Sequence, residues 1–305
     1  MTAKTLTYES VLGALAAARP DVVVMTAENR IHIRGLEAWL GPRFIDVGIA
    51  EQTLVGAAAG LASRGRTVVV HGLAAFLVMR AFEFIRTDVG IAGLPVKLVG
   101  YAPGVLSDAN GPTHQALEDV GLMRGIPGMQ VVCPADDVEM GQALPAVLAS
   151  RAPCYLRYNV EPAVVAHRRT FVLGEAEVLA EGDRVALLTY GFLLGEAMRA
   201  RRALEARGIS VHLVNMRTLA PIDEGAILDA ARRTRAIVTV EDHFLRGGLY
   251  GVVAEVLARH RTACRLTGLG FDGRWFRPAL LPDVLMNERL TGPQIAERIE
   301  AGLED

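Results

Sequence analysis

Short apolar runs rich in β-branched residues alternate with longer helical segments along most of this chain. In the first half, the predicted buried strands are residues 22–26, 67–71, 96–100, 130–133 and 154–157. The predicted helices between them are residues 8–18, 51–64, 76–89, 114–124 and 137–150. This alternation is typical of a parallel sheet covered by helices on both faces. The first half is therefore predicted to be one doubly wound α/β domain, residues 1–165.

The pattern lapses after residue 158, where the sequence NVEPAVVAHRRT has the proline and mixed charge of a surface linker. It resumes with predicted strands 184–189, 211–215 and 236–241 and predicted helices 192–207, 223–234 and 248–260. A chain of 305 residues suits two domains of roughly 150 residues each. The predicted fold class is thus α/β, with a second, smaller doubly wound domain at residues 175–305.

The composition argues against several classes of protein. With 51% hydrophobic residues, 22% charged residues and a formal net charge of −2, the chain lacks the basic footprint of a nucleic-acid-binding protein. Its longest apolar runs are strand-sized and its start lacks the apolar run of a secretory signal, so we expect neither a membrane segment nor secretion. The three cysteines, Cys133, Cys154 and Cys264, form no CxxC pair, which predicts a reduced, cytoplasmic protein without a metal site.

Residues 43–65, with the sequence RFIDVGIAEQTLVGAAAGLASRG, contain a strand end, a turn and a helix of small residues. Glu51 lies at the start of that helix. Taken alone, a carboxylate there is most often a surface residue that compensates the helix dipole. The pattern of residue types leaves this surface role and a functional role both open.

The sequence D-V-G-I-A-E-Q followed by the small-residue helix resembles the transketolase family. In that family the matching glutamate hydrogen-bonds the N1' atom of the thiamine diphosphate pyrimidine and so promotes deprotonation of the thiazolium ring. A desolvated pocket favours the shared proton, because burial raises the proton affinity of a carboxylate. The resemblance therefore implies thiamine diphosphate as cofactor, Glu51 as the activating residue and Ile49 as a cofactor contact.

The sequence HGLAAFLVMRAFEFIRTDVG, residues 71–90, resembles the family segment in which aromatic rings meet the pyrimidine. Aligned on the Arg-Ala-aromatic-Glu core, the resemblance places Phe76 at the stacking position and adds Arg80 to the cofactor contacts. Phe82 is predicted to be a core residue of the same helix. The family's Ser-Thr-Phe is replaced here by His-Gly-Leu. His71, at the end of a predicted strand, is either a structural histidine or a pocket residue.

A third segment, residues 107–139, matches the family over some thirty residues through G-P-T-H-Q, A-L-E-D, I-P-G-M and P-A-D. Its Asn-Gly-Pro turn is predicted to deliver His114 to the start of a helix. The resemblance implies that His114 assists proton transfer or binds a substrate hydroxyl. Family members often have aspartate where Asn110 stands, so a preference for phosphorylated ketoses is in doubt, and Asp108 is a partial substitute.

Two further groups are open to more than one interpretation. Arg157, in the sequence PCYLRYN, matches a family arginine that reaches the acceptor phosphate, but an interdomain ion pair is equally compatible. Glu241, Asp242 and His243 lie at a predicted strand end in a half that resembles the transketolase C-terminal domain. A metal or acid–base role is conceivable for them. We favour a structural or interface role, because in the family this domain chiefly supports the dimer.

Full-length transketolases bind the cofactor diphosphate and Mg2+ through another domain, with a Gly-Asp-Gly motif and a downstream asparagine that this sequence lacks. The resemblance therefore implies one subunit of a split transketolase, paired with an N-terminal diphosphate-binding subunit that also holds most of the Mg2+ site. The implied assembly is an α2β2 tetramer in which this chain dimerises. The implied activity is transfer of a two-carbon ketol unit between sugar-type substrates.

Three alternatives remain open. A 2-oxoacid dehydrogenase component of the β type shares the two domains and the activating glutamate, although the G-P-T-H-Q sequence favours transketolase. A transketolase-like acyl or ketol transferase of specialised metabolism fits the altered residues 72, 73 and 110. A non-catalytic assembly subunit is the third alternative, and the presence of both Glu51 and His114 argues against it.

Overall fold

A computed structural model describes residues 7–168 and 170–304. The predicted domain ranges also include residues 1–6 and 305, and the predicted linker includes residue 169, which lie outside the described residues. None of the described helices is both long and apolar enough to cross a membrane.

The first half of the chain forms most of a seven-stranded sheet. Its strands are β1 Val22–Thr26, β2 Phe44–Asp46, β3 Thr67–Leu73, β4 Val96–Tyr101, β5 Gln130–Val132 and β6 Cys154–Tyr158. The helices around them are α1 Tyr8–Ala18, α2 Leu36–Leu40, α3 Glu51–Ser63, α4 Phe82–Phe84, α5 Asp119–Arg124 and α6 Asp137–Ala149. A strand from the second half, β10 Thr218–Ala220, completes this sheet. The sheet order is β10-β5-β6-β4-β3-β1-β2, and all pairs except β10 with β5 are parallel.

The second half forms a five-stranded sheet in the order β12-β11-β8-β9-β7, with only β7 antiparallel. Its strands, together with the strand that joins the first sheet, are β7 Glu177–Ala180, β8 Val185–Thr189, β9 Val211–Asn215, β10 Thr218–Ala220, β11 Ala236–Phe244 and β12 Arg265–Phe271. The helices are α7 Leu194–Glu205, α8 Glu224–Arg233, α9 Leu249–Arg259, α10 Leu281–Asn287 and α11 Gly292–Glu304. The predicted fold class, two α/β units, is confirmed.

The core explains why the strands are continuously apolar. In β1, Val23 and Met25 pack with α3 on one face of the sheet, while Val22 and Val24 pack with α1 and α6 on the other. Because both faces are covered, the strand needs apolar residues at every position rather than at alternate ones. Phe82 packs half-buried against the α3 side, in agreement with the predicted core role.

Two of the predicted helices differ in the structure. The helix predicted from residue 114 begins at Asp119, because Gly104 and Ala116 exchange two backbone hydrogen bonds of 3.0 Å and hold the preceding residues as a loop. The helix predicted over residues 76–89 is divided into π-helical turns, Phe76–Arg80 and Ile85–Gly90, on either side of α4. Such π-turns are frequent at functional sites.

Candidate active site

The carboxyl edge of the first sheet gathers the predicted site residues. Glu51 follows β2, Phe76 and Arg80 follow β3, and His114 lies in the loop after β4. Because the carboxyl ends of parallel strands share one edge, residues far apart in sequence meet there. The structure therefore brings together four of the predicted residues.

Glu51 is a buried residue rather than a surface one. Only 4% of it is exposed, and its Oε2 accepts a hydrogen bond of 2.9 Å from Arg80 Nη1. Its place in the first turn of α3 adds the helix dipole to this support for a charged carboxylate. Ile49, two residues earlier, is instead 75% exposed. The side chain of Glu51 is thus shielded from solvent, whereas that of Ile49 is open to it.

Phe76 connects the carboxylate to the histidine. The Arg80 guanidinium lies 4.3 Å from the centroid of the Phe76 ring, and the His114 ring meets the same phenyl ring at 4.9 Å with an interplanar angle of 60°. The Thr113 hydroxyl and His114 Nδ1 are 2.9 Å apart. This contact leaves Nε2 of His114 as the ring nitrogen that is available to a ligand.

The loop that carries His114 rests on the second half of the chain. Asp108 Oδ1 accepts a hydrogen bond of 2.7 Å from the Leu281 N–H at the start of α10, so this oxygen is committed to a contact between the two halves. Asn110 Nδ2 donates to the Ser107 carbonyl at 2.8 Å and thereby shapes the loop itself. Both side chains are exposed. Their predicted substrate contacts would therefore use the oxygens that these hydrogen bonds leave free, Oδ2 of Asp108 and Oδ1 of Asn110.

Arg157 occupies the position that the ion-pair alternative describes. Its Nε donates to Asp119 at 2.8 Å and its Nη1 donates to Asp242 at 2.6 Å, and all three side chains are buried. Burial raises the pKa of Asp242 to about 6, although the neighbouring guanidinium opposes the rise. A guanidinium that is 2% exposed and bound to two carboxylates cannot also hold a substrate phosphate, so this predicted substrate contact is corrected.

His71 belongs to the core. It lies between the rings of Tyr8 and Tyr101, at centroid distances of 5.7 and 6.3 Å, and none of it is exposed. Burial lowers the pKa of His71 to about 3, so the ring is neutral. The structure therefore favours the structural alternative over a pocket residue.

Glu241 and His243 also have structural partners. Glu241 accepts hydrogen bonds from the N–H groups of Leu249 and Tyr250 at 2.6 and 2.8 Å and so caps α9, and burial raises the pKa of Glu241 to about 8. His243 Nε2 accepts the Gly121 N–H at 3.3 Å, which connects the two halves. These contacts agree with the favoured structural or interface role.

The sequence patterns missed Asp119 as the second carboxylate that binds the buried Arg157. The only indication of Asp119 in the sequence was its position as the last residue of the A-L-E-D match, to which no function had been assigned. The patterns also missed the contact between Arg80 and Glu51, although both residues had been selected individually.

Comparison with known proteins places both halves in known domain families. Residues 2–162 match "Transketolase, pyrimidine binding domain" and residues 174–288 match "Transketolase, C-terminal domain". The chain is 40% identical over 220 residues to the 6-deoxy-6-sulfo-D-fructose transketolase subunit SqwH of Clostridium sp. (strain MSTE9), covering 72% of this chain and 68% of that protein. It is 32% identical over 274 residues to an apulose-4-phosphate transketolase subunit of Phocaeicola vulgatus, covering 88% of each.

A solved structure described as "Split gene transketolase, inactive beta4 tetramer" has the same fold over almost the whole chain. The TM-score is 0.85 at 32% identity, and the match covers 97% of this chain and 96% of that one. The arrangement of both sheets described above is thus found in an experimentally determined relative.

Proposed function

This chain belongs to the transketolase family, and on that premise we propose that it is the C-terminal subunit of a thiamine-diphosphate-dependent enzyme. The proposed reaction transfers a two-carbon ketol unit between sugar-type substrates. The observation that carries the proposal is the buried Glu51 carboxylate, which shares one edge of the sheet with Phe76 and His114.

The residues present fit the aminopyrimidine of the cofactor. Arg80 contacts only one oxygen of Glu51, and among the described residues no hydrogen-bond donor occupies Oε1. This oxygen is therefore available to a ring nitrogen. Phe76 offers an apolar ring that supports stacking without competing for hydrogen bonds. When bound, thiamine diphosphate supplies the nucleophilic carbon that accepts and returns the two-carbon unit.

The chain's own residues would then perform two tasks. Glu51 would share a proton with a ring nitrogen of the pyrimidine. His114 would present Nε2 to a substrate hydroxyl, with its Nδ1 fixed by Thr113 and its ring fixed by Phe76. Arg80 would keep the Glu51 side chain in place through the contact with Oε2. Asn110 and Asp108 would border the substrate with their exposed atoms.

We propose that the diphosphate and Mg2+ are bound by a separate N-terminal chain, and that the two chains form a cytoplasmic α2β2 tetramer. Two relatives are named as transketolase subunits, and a related β4 tetramer is described as inactive. Ile49, two residues before Glu51 in the sequence, is 75% exposed and would be covered by the second chain in this assembly.

The test uses the complex reconstituted with an N-terminal chain that carries the Gly-Asp-Gly motif. Glu51→Gln is expected to lower the rate of ketol transfer by about 10²–10⁴-fold, the usual contribution of a positioned acid or base. Glu205→Gln, at an exposed carboxylate on α7, serves as control and should leave the rate unchanged. Circular dichroism of bound thiamine diphosphate reports whether the cofactor still binds.

An unchanged rate in the Glu51→Gln complex would refute the proposal. Full ketol transfer by the purified single chain would refute the requirement for a partner. Decarboxylation of pyruvate or a branched-chain oxoacid in place of ketol transfer would favour the 2-oxoacid dehydrogenase alternative.

A further inference from the structure

A second group of ionisable side chains lies where the two halves of the chain meet, separate from the carboxyl-edge site. Asp136 and Glu139 come from the start of α6, His167 from the connecting segment, Glu177 from β7 and Asn215 from the end of β9. All five residues are buried. The proposed ketol transfer assigns no role to any of them.

Three atoms of this group lie close together: His167 Nδ1, Glu139 Oε1 and Glu177 Oε2. The imidazole nitrogen is 2.8 Å from Glu177 Oε2 and 3.6 Å from Glu139 Oε1, and the ligand atoms of the three residues lie within 4.8 Å of one another. In a tetrahedral zinc site with bonds of about 2.0–2.1 Å, ligand atoms are about 3.4 Å apart. The two separations from His167 Nδ1, 2.8 and 3.6 Å, lie on either side of that value.

The other polar atom of each side chain is fixed from outside. Glu139 Oε2 accepts the Ala135 N–H at 2.7 Å, Glu177 Oε1 accepts the Arg168 N–H at 2.6 Å, and His167 Nε2 contacts Asp136 Oδ2 at 2.7 Å. Metal-binding histidines almost always have such a carboxylate or carbonyl partner on the second nitrogen, which orients the ring. The three side chains are thus oriented as ligands already.

A buried amide supplies an independent indication of a missing partner. Asn215 Nδ2 is 3.1 Å from both oxygens of Glu139, whereas Asn215 Oδ1 is buried without a hydrogen-bond partner among the described residues. Rotating the amide by a half-turn exchanges its two ends and presents the oxygen toward the group. A cation bound by Glu139 would take this oxygen as a ligand, in place of the hydrogen bonds that Asn215 Nδ2 now donates to the carboxylate.

The charges of this group also favour a bound cation. Asp136, Glu139 and Glu177 contribute three negative charges, and the nearest guanidinium, that of Arg217, lies 3.6 Å from Glu139 Oε1. With a protonated imidazole and the Arg217 guanidinium, the group keeps one uncompensated negative charge, and burying uncompensated charge is costly. One divalent cation that displaces the imidazole proton brings the group to neutrality.

We propose that Glu139, His167 and Glu177 bind one divalent transition-metal ion of the Zn2+ class, with Asp136 orienting the imidazole and Asn215 Oδ1 or water as a fourth ligand. The mixed nitrogen and oxygen donors suit Zn2+ better than Mg2+ or Ca2+, which prefer oxygen alone. The site is distinct from the Mg2+ site proposed for the N-terminal chain. Because its ligands come from α6, the connecting segment and β7, the ion ties the two halves together.

The test uses the full chain without an affinity tag, treated with a chelator and titrated with Zn2+ alone. Calorimetry and metal analysis are expected to show one ion per chain and a higher Tm with zinc than with chelator. His167→Gln and Glu177→Gln should abolish this uptake, and Asp136→Asn should weaken it about 10–100-fold, as changes to such outer partners do. His260→Gln is the control and should leave the uptake of zinc unchanged. His260 is an exposed histidine that contacts Glu224 at 2.7 Å and lies outside the proposed site.

A wild-type chain that takes up no stoichiometric zinc would overturn the proposal, as would equal uptake by wild type and His167→Gln. If the variants fail to fold, Co2+ added to the wild-type chain decides the question. A tetrahedral nitrogen and oxygen site gives intense visible absorption with cobalt, and the weak spectrum of a hydrated octahedral ion would refute the site.

Discussion

Replacing Arg157 with Met should strongly destabilise the chain. The change removes the only guanidinium that contacts Asp119 and Asp242 among the described residues, where the two carboxylates are buried at 2.8 and 2.6 Å from its nitrogens. Breaking a buried ion pair by removing one partner costs about 3–5 kcal/mol, because the remaining charge stays buried and uncompensated. At about 2–4 °C per kcal/mol for chains of this size, we expect Tm to fall by roughly 6–20 °C.

Urea unfolding and calorimetry measure this loss, and a surface contact supplies the control. Arg124 also connects the two halves through Glu255, but that glutamate is 52% exposed, so Arg124→Met should cost no more than about 1 kcal/mol. The triple variant Asp119→Asn, Arg157→Met, Asp242→Asn should recover much of the lost stability, because it leaves no buried charge. An Arg157→Met chain of wild-type stability, whose reconstituted complex has a raised KM for phosphorylated substrates, would restore the substrate role.

Two further changes test the loop and the linker. Gly104 has φ of +58°, and a Cβ there would lie 1.7 Å from Asp242 Oδ2. Gly104→Ala should therefore lower the free energy of unfolding by more than the about 1–3 kcal/mol of backbone strain alone. Gly60→Ala, in open space on α3, should instead stabilise the chain by about 0.5–1 kcal/mol, and equal urea midpoints for the two variants would contradict this. Burial opposes protonation of His167, but its three carboxylate neighbours outweigh burial and raise the pKa of His167 to about 10. This value exceeds the ordinary 6.5, so the stabilisation is complete below pH 6.5 and is lost as the pH rises to 10. Tm measured in chelator should fall over that range more steeply in wild type than in His167→Gln, and parallel curves would contradict the assignment.

The sequence was sufficient for the main elements of the fold because parallel strands covered on both faces must be apolar throughout. The same reasoning could not predict β10. Thr218–Ala220 lies in the second half yet pairs antiparallel with β5 at the edge of the first sheet. Three residues carry no periodicity, and their partner is set by how the two halves pack. The loop before α5 was missed for a related reason, since its bridge joins Gly104 to Ala116.

In the candidate site, too, the residues in local motifs were predictable and the tertiary contacts were not. Glu51, Phe76 and His114 come from short motifs, and the parallel sheet brings the ends of those motifs to one edge. Arg157 was left open between a substrate contact and an interdomain ion pair, and Asp108 was given a partial substrate role, because the local sequence does not show the partners of either residue. Arg157 binds a carboxylate 85 residues later, and Asp108 binds a backbone N–H 173 residues later. Local patterns identify a polar residue at a sheet edge, but only tertiary packing decides whether its hydrogen bonds are already used.

The contacts beneath the His114 loop explain why the two halves belong on one chain. Asp108 is fixed by the start of α10, Gly104 approaches Asp242 so closely that a Cβ would overlap it, and Gly111 packs on Pro278. The second half therefore supports the loop that carries His114, the proposed substrate-binding residue, in addition to the dimer role that the resemblance implied. In the proposed two-chain enzyme, separating these halves would leave the loop without support. In the same proposal, the diphosphate-binding chain supplies none of the contacts that support this loop, so it can be encoded apart from the two halves.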